Sequence, residues 1–178
     1  MDKTNYKHRI YVGGPFTFKY SEVTPEHIRN DFRYKIVGEP FIEQHQDIED
    51  VGNVEYTGPF YYYKNGLGPE AVVESEVEAI RRSDIVFLVF PEDGRAPGTI
   101  AELIFAASLN KRIEVFYVPT KEHTEADETS SKLNDHIQHQ YWYPFIQAKY
   151  INPNITFHKC ESTDSAKDLC VNLIKTIN

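Results

Sequence analysis

The sequence is poor in cysteine, in positive charge and in long apolar runs, and each shortage excludes a class of protein. Its 178 residues include two cysteines, too few for a disulfide framework, and the spacing of Cys160 and Cys170 matches no zinc-binding pattern. A net charge of −8 makes a nucleic-acid polymer an unexpected partner. No segment reaches the ~20 apolar residues of a membrane span, and the polar start resembles no signal peptide. We therefore expect a cytoplasmic protein that does not contact a membrane.

The composition that remains is that of a globular protein. Hydrophobic residues make up 40% of the chain and charged residues 26%, and the length suits one well-filled α/β domain. The chain shows no internal repeat and no low-complexity linker. A single domain over residues 1–178 is the prediction.

Apolar runs of strand length alternate with amphipathic helical patterns along most of the chain. The patterns predict strands over residues 9–14, 84–90, 112–118 and 154–159, and helices over 24–36, 69–83, 98–110 and 164–177. This alternation predicts an α/β fold with a doubly wound parallel sheet, a flavodoxin-like three-layer α/β/α arrangement. In that arrangement the first strand lies beside the strand at 84–90.

Residues 37–68 have no clear period and are interpreted as a long, mostly irregular segment. Its aromatic residues are unusual for a disordered chain, so an ordered binding loop is predicted. The aromatic residues of this loop are Tyr56, Phe60, Tyr61, Tyr62 and Tyr63.

Ligands of doubly wound sheets bind outside the carboxyl ends of the strands, where the strand order reverses. This rule selects two loops, "GGPF" at 13–16 and "PEDGRAPGT" at 91–99. The second loop lacks the lysine and the spacing of a P-loop. Free amides around Gly98 and the Thr99 hydroxyl suit a phosphate or a carboxylate, while the alternative is that Thr99 only caps the following helix. The candidate ligand contacts in the two loops are Gly13, Gly14, Phe16, Asp93, Gly98 and Thr99.

Most other chemistries find no support in the residues. His136 and His139 stand one turn apart without a third ligand nearby, so no metal site is predicted, and no G-x-S-x-G motif is present. Glu102 differs from the other acids because it lies in the apolar sequence "TIAELIF" close to the predicted crevice. It is either an acid that complements the helix dipole or a partly desolvated reactive carboxylate. A carboxylate there suits covalent attack on the anomeric carbon of a sugar.

Three blocks of the sequence resemble the nucleoside 2-deoxyribosyltransferase family and its N-glycosidase relatives. They are "IYVGGPF" at the first strand, "EAIRRSDIVFLVF" leading into the central strand, and "PGTIAELIFAASLNKRIEVFYV" after it. The resemblance implies cleavage of the bond between a nucleobase and a ribose or deoxyribose, with transfer of the sugar to another base or to water. Some relatives act on nucleoside 5′-monophosphates.

The resemblance also implies roles for individual residues. The nucleophilic glutamate of the family falls on Glu102, the tyrosine that orients it on Tyr11, and the acid that contacts the sugar on Glu76. It implies no cofactor and a homo-oligomer in which neighbouring subunits complete each pocket. The expected partner is a small nucleoside or nucleotide.

The sequence departs from the family pattern at three positions. Ile104 replaces a common glycine, Glu76 replaces a common aspartate, and Ala96 stands where transferases often carry an acid. Asp93 substitutes for that acid only if its loop folds inward. Hydrolysis is therefore at least as well supported as transfer. Two alternatives stay open, a glycohydrolase of NAD-type dinucleotides and a nucleotide-binding module without activity.

Overall fold

A mostly parallel sheet of six strands forms the centre of the described structure. The computed structural model describes residues 7–15, 24–42, 48–61, 68–120 and 140–177. Within these ranges the strands are β1 (His8–Gly13), β2 (Glu49–Asp50), β3 (Val54–Gly58), β4 (Ile85–Phe90), β5 (Arg112–Tyr117) and β6 (Ile155–Lys159). They are ordered β2-β3-β1-β4-β5-β6, and β2 alone runs antiparallel to its neighbour.

The five parallel strands have the flavodoxin-like order. Counted along the chain without the short β2, they lie in the order 2-1-3-4-5. The sheet pairs β1 with β4, in register from Ile10 opposite Ile85 to Gly13 opposite Leu88. The predicted fold class and the predicted neighbour of the first strand are both confirmed.

Helices cover both faces of the sheet and produce three layers. The helices are α1 (Pro25–Arg29), α2 (Tyr34–Val37), α3 (Pro69–Arg82), α4 (Pro97–Ser108), α5 (Trp142–Ile151) and α6 (Thr163–Lys175). One core cluster joins the sheet to α3, α4 and α5, and the other joins it to α1, α2 and α6. All six residues of β4 are buried, because this strand has helices on both sides. No helix of the described ranges is both long and apolar enough to cross a bilayer.

The helix predicted over 24–36 is divided into two short helices. Thr24 caps α1 and Pro25 begins it, as the sequence indicates. The chain then turns before α2, where the Asp31 carboxylate accepts the backbone amide of Arg33 at 2.9 Å. A side-chain acceptor that captures a backbone N–H offers the chain an alternative to continued helix. The prediction of one continuous helix was wrong for this reason.

The segment predicted to be irregular contains β3, a buried strand of the sheet. Tyr56 is fully buried on this strand, its hydroxyl donates to the Pro59 carbonyl at 2.7 Å, and Phe60 packs edge-on against its ring. These two aromatic residues belong to the core and not to a binding loop. Tyr61 is half-buried, and Tyr62 and Tyr63 lie outside the described residues.

Candidate active site

The carboxyl ends of β1 and β4 lie side by side at the point where the strand order reverses. β1 ends at Gly13, and the chain leaves β4 after Phe90 through residues 91–96 to reach α4. Because successive connections leave toward opposite faces here, the loops diverge and leave a crevice between them. The two loops selected from the sequence both begin at this edge.

Glu102 is the sixth residue of α4, one turn beyond the helix start. The helix begins at Pro97 after Ala96, which makes no side-chain cap, and its first turn contains no acid. The dipole favours negative charge within the first turn and falls off quickly beyond it. Complementing the dipole is therefore a weak explanation for an acid at position 102.

The two oxygens of the Glu102 carboxylate lie in different environments. The Tyr11 hydroxyl donates a hydrogen bond to Oε1 at 2.6 Å, across 91 residues of sequence. Oε2 has essentially no accessible surface and no hydrogen-bond partner among the described residues. Leaving a buried carboxylate oxygen without a donor costs on the order of 1–3 kcal/mol or more. A feature that lowers stability and fills no structural need is typical of a functional site.

Gly13 is required by the close approach of this carboxylate. A Cβ atom at position 13 would lie 2.3 Å from Glu102 Oε2 and 2.6 Å from Leu88 Cδ2. Real Cβ atoms essentially never come so close to another heavy atom. The carboxylate thus rests on the backbone at the end of β1, where only glycine leaves room for it.

The environment makes Glu102 harder to ionise than an exposed glutamate. Burial raises its pKa to about 7, and the nearby Glu76 carboxylate adds to the rise, while the Tyr11 hydrogen bond and the charge of Arg33 oppose it. Burial and the charge of Glu102 also raise the pKa of the Tyr11 hydroxyl, which therefore stays a donor. With a pKa of about 7, Glu102 changes its charge near neutral pH, next to the Tyr11 hydroxyl donor and the Glu76 carboxylate.

Glu76 reaches the same region from α3. It is half-buried, and burial raises its pKa against the lowering effect of Arg33. Its charge acts on both Glu102 and Tyr11. The structure thus brings together the three residues that the family resemblance selects.

The remaining predicted contacts are less closely grouped. Asp93 is exposed, and its carboxylate accepts the Arg95 amide at 3.0 Å, so it caps its own turn. Gly98 is exposed in the first turn of α4, where a Cβ would meet no atom of the described residues within 4 Å, whereas Thr99 is buried within the helix. Ala96, and not Thr99, occupies the position before the helix.

The predicted contacts of the first loop are only partly described. Gly14 follows β1 with a φ of +152°, packed against Val89, and Phe16 lies outside the described residues. His136 and His139 also lie outside them. Within the described ranges no group of three or more His, Cys, Asp or Glu side chains is placed to hold a metal ion.

Sequence reasoning missed the buried pair of Asp31 and Arg33 beside the first loop. The Arg33 guanidinium donates to the carbonyl of Gly14 at 3.1 Å. Both charged side chains occur in "RNDFRYK", a sequence that is typical of an exposed helix face. The sequence offered only a weak indication of this buried ion pair, an acid and an arginine two residues apart on either side of Phe32.

Gln140 connects the loops that follow β4 and β5. Its Nε2 donates to the Glu92 and Val118 carbonyls at 3.2 and 3.1 Å and lies 3.4 Å from the Pro91 carbonyl, while its Oε1 accepts from the Thr120 amide at 3.1 Å. One side chain therefore spans the carboxyl ends of two neighbouring strands.

Comparison with known proteins gives distant structural likenesses. No protein-family model matches the chain, and no curated protein matches it significantly. Among solved structures, it is similar to the CMP N-glycosidase BcmB of Clostridium botulinum, at 13% identity and a TM-score of 0.47, over 93% of this chain and 98% of that one. It is also similar to the translation elongation factor SelB of Methanococcus maripaludis bound to a GTP analogue. That likeness has 14% identity and a TM-score of 0.44, over 96% of this chain and 33% of that one.

Glu102 is expected to make the protein less stable as the pH rises toward neutrality. The pKa is about 7 in the folded chain against 4.5 for an ordinary glutamate. Between these values the folded state keeps a proton that the unfolded state has lost, so rising pH favours unfolding. Glu102→Gln cannot ionise at this position. Its free energy of unfolding is expected to exceed that of the wild type by roughly 2–3 kcal/mol at pH 8 and by little near pH 5. Urea unfolding of both proteins from pH 5 to 8 measures this.

Glu74→Gln is the matched control for this comparison, because it removes an exposed acid from α3. Its stability is expected to follow that of the wild type across the same pH range. A constant difference between wild type and Glu102→Gln at every pH would contradict the assignment of a buried, titrating carboxyl to Glu102.

Proposed function

We propose that the protein cleaves the N-glycosidic bond of a nucleoside, a deoxynucleoside or a nucleoside 5′-monophosphate. Glu102 is the proposed nucleophile and Tyr11 the residue that orients it. The observation that supports this most directly is the Glu102 carboxylate, with one oxygen bonded to Tyr11 at 2.6 Å and the other buried without a hydrogen-bond partner in the described part of the chain. This carboxylate lies on α4, the helix that follows β4, at the edge of the sheet where doubly wound folds bind their ligands.

The proposed reaction proceeds through a covalent sugar–enzyme ester. The unbonded oxygen of the ionised Glu102 carboxylate attacks C1′, the bond from C1′ to the base nitrogen breaks, and the base leaves with the bonding electron pair and takes up a proton from solvent. Water or a second base then attacks C1′ and gives up a proton to solvent, the ester bond breaks, and the carboxylate is released as hydrolysis or transfer is completed. For attack, the buried oxygen has to become accessible through a shift of the segments that border it, while the hydrogen bond from Tyr11 to the other oxygen is kept.

Tyr11 supports this chemistry by its position and by its proton. Its hydrogen bond occupies Oε1, so the orientation of the carboxylate is fixed before substrate arrives. The same bond lowers the pKa of Glu102, which increases the ionised, nucleophilic fraction at neutral pH. Tyr11 is therefore proposed to hold and polarise the nucleophile.

The substrate contacts are proposed from the same edge of the sheet. Glu76 is proposed to bind a sugar hydroxyl, as the family resemblance implies. The exposed amide of Gly98, at the start of the twelve-residue helix α4, is proposed to face a 5′-hydroxyl or phosphate, and the buried Thr99 is proposed to border that position. Gly13, Gly14 and Asp93 complete the proposed contacts at this edge, and Phe16, which lies outside the described residues, is proposed as a contact from the sequence alone.

We also propose membership of the nucleoside 2-deoxyribosyltransferase family and its N-glycosidase relatives. The three sequence blocks support this, and Glu102, Tyr11 and Glu76 lie together in the fold as the resemblance requires. A homo-oligomer and independence from cofactors belong to the same proposal.

A substrate panel tests the proposed function. The purified protein is incubated with nucleosides, nucleoside 5′-monophosphates and NAD, each with and without an acceptor base, and free base is measured by chromatography. We expect base release from at least one nucleoside or monophosphate. A new nucleoside formed in the presence of the acceptor identifies transfer, and its absence identifies hydrolysis.

Two other outcomes would replace the proposal. Release of nicotinamide from NAD, with no base from the smaller substrates, would assign a dinucleotide glycohydrolase. Binding of a nucleotide without turnover of any member of the panel would assign a nucleotide-binding module.

A further inference from the structure

An ion pair between Asp31 and Arg33 is buried beside the candidate site. The side chains are 1% and 0% exposed, and two contacts join them, Nε to Oδ1 at 2.7 Å and Nη2 to Oδ2 at 2.8 Å. Burial lowers the pKa of Arg33, but the charge and hydrogen bonds of Asp31 outweigh that effect and raise it, so the arginine stays charged. Removing two charges from water is costly, so such a pair is a poor source of stability and calls for another explanation.

The guanidinium holds the backbone that follows β1. Its Nη1 donates to the Gly14 carbonyl at 3.1 Å, and Nη2 lies 3.5 Å from the Pro15 carbonyl. On its other side Gly14 packs so tightly that a Cβ there would lie 3.2 Å from Val89 Cβ. The Gly14 peptide is thus confined between β4 and the arginine.

That peptide is adjacent to the surface on which the Glu102 carboxylate rests. Glu102 Oε2 packs against the Cα of Gly13, whose neighbour Gly14 is the residue that Arg33 binds. A displacement of the Gly14 carbonyl therefore moves the contact surface of the carboxylate. The chain of contacts from Asp31 to Glu102 is continuous and short.

The same arginine acts on the site through its charge. Among the described residues, three groups act on the Glu102 carboxyl: Tyr11 from β1 through its hydrogen bond, and Glu76 from α3 and Arg33 from the segment between α1 and α2 through their charges. Arg33 lowers the pKa of both carboxyls, whereas Glu76 raises that of Glu102. Asp31 anchors the arginine and partly offsets its field.

We propose that Arg33, anchored by Asp31, is a positioning residue for Glu102: it fixes the backbone at Gly13–Pro15 under the carboxylate and places a buried positive charge beside the site. The consequence for catalysis rests on the proposed function. The effect on Glu102 itself does not, because it can be measured without turnover.

The variant Asp31→Asn/Arg33→Gln tests the proposal without leaving a single buried charge. Titration of Glu102 is followed by NMR of the side-chain carboxyl carbon, with the resonance assigned by its loss in Glu102→Gln. We expect its midpoint to rise by about half a pH unit or more in the double variant. The acid limb of kcat/KM against pH is expected to move by the same amount.

Two further variants separate charge from geometry. Arg33→Lys keeps the charge but loses the paired contacts, so the midpoint stays near that of the wild type while kcat falls. Arg29→Gln/Glu39→Gln removes an ion pair at the surface, whose side chains are 51% and 54% exposed, and is expected to change neither quantity. If the double variant does not fold, Asp31→Asn gives the test in the opposite direction, because the arginine is then less compensated and the midpoint should fall.

An unchanged Glu102 midpoint in the double variant and in Asp31→Asn would overturn this proposal. Failure of the proposed function has a different signature: a midpoint that responds to these variants in a protein that releases no base. If base release depends on Glu102 but the midpoint of the Glu102 titration does not change in the Arg33 variants, the proposed function is supported and the positioning role of Arg33 is refuted.

Discussion

Glu102→Ala is expected to lower the rate of base release by at least about a thousandfold, because no other carboxylate of the described residues is held by Tyr11 at the end of β1 and could replace it as the nucleophile. Alanine removes the nucleophile together with the acceptor of the Tyr11 hydrogen bond. Substrate binding, measured separately, should change much less, since the proposed substrate contacts remain. The measurement is kcat/KM for the substrate that the panel identifies.

A covalent intermediate would give independent support for this role. Wild-type protein quenched during turnover should carry the mass of one sugar on the peptide that contains Glu102, and Glu102→Ala should not. Glu74→Gln, the exposed acid on α3, serves again as the control and should retain wild-type turnover. Base release by Glu102→Ala at a rate close to that of the wild type would remove Glu102 from the reaction.

The second large effect is expected at Gly13. A Cβ there would lie 2.3 Å from Glu102 Oε2 and 2.6 Å from Leu88 Cδ2, so both side chains have to move in Gly13→Ala. Overpacking of this kind costs about 1–3 kcal/mol of stability. Displacement of a nucleophile by about 1 Å lowers activity by on the order of a hundredfold. Urea unfolding and kcat/KM measure the two effects.

A double-mutant cycle shows whether the clash with Glu102 is the cause. Gly13→Ala/Glu102→Ala has no carboxylate at the new methyl group, so it should be more stable than the sum of the single effects predicts. Gly68→Ala is the matched control: this glycine precedes α3 with a φ of −69°, and an added Cβ meets no atom of the described residues within 4 Å. Additive stabilities in the cycle would mean that Leu88 alone opposes the methyl group.

The sequence allowed the central strands and their order to be predicted because their pattern is strong. "DIVFLVF" is apolar without interruption, as a strand covered on both faces requires, and β4 is buried at every residue. β3 was missed because the alternating sequence "VEYTG" is only five residues long and lies in a segment rich in glycine, and its place in the sheet is set by pairing with β1 and β2. Local pattern is a poor guide where tertiary pairing decides the strand.

The candidate site was predictable to a smaller extent. The position of Glu102 within an apolar helix near the crevice follows from the residues, whereas its partner Tyr11, 91 positions away, came only from the family resemblance. The Asp31–Arg33 pair could not be found locally, because its burial depends on the backbone that folds over it. Charged residues are almost never fully buried unless paired, and sequence alone does not show that pairing.

The bridge made by Gln140 has a consequence for how the crevice can open. Its side chain bonds to carbonyls after β4 and to the Thr120 amide after β5, so neither segment can separate from the other while those bonds hold. Fluctuations that release one loop must break hydrogen bonds of both at once, which makes the two loops a single cooperative unit of local unfolding. This border of the crevice is therefore expected to open as one piece, and Gln140 shares the cost of opening with the Tyr141 hydroxyl, which donates to the Pro91 carbonyl at 2.5 Å.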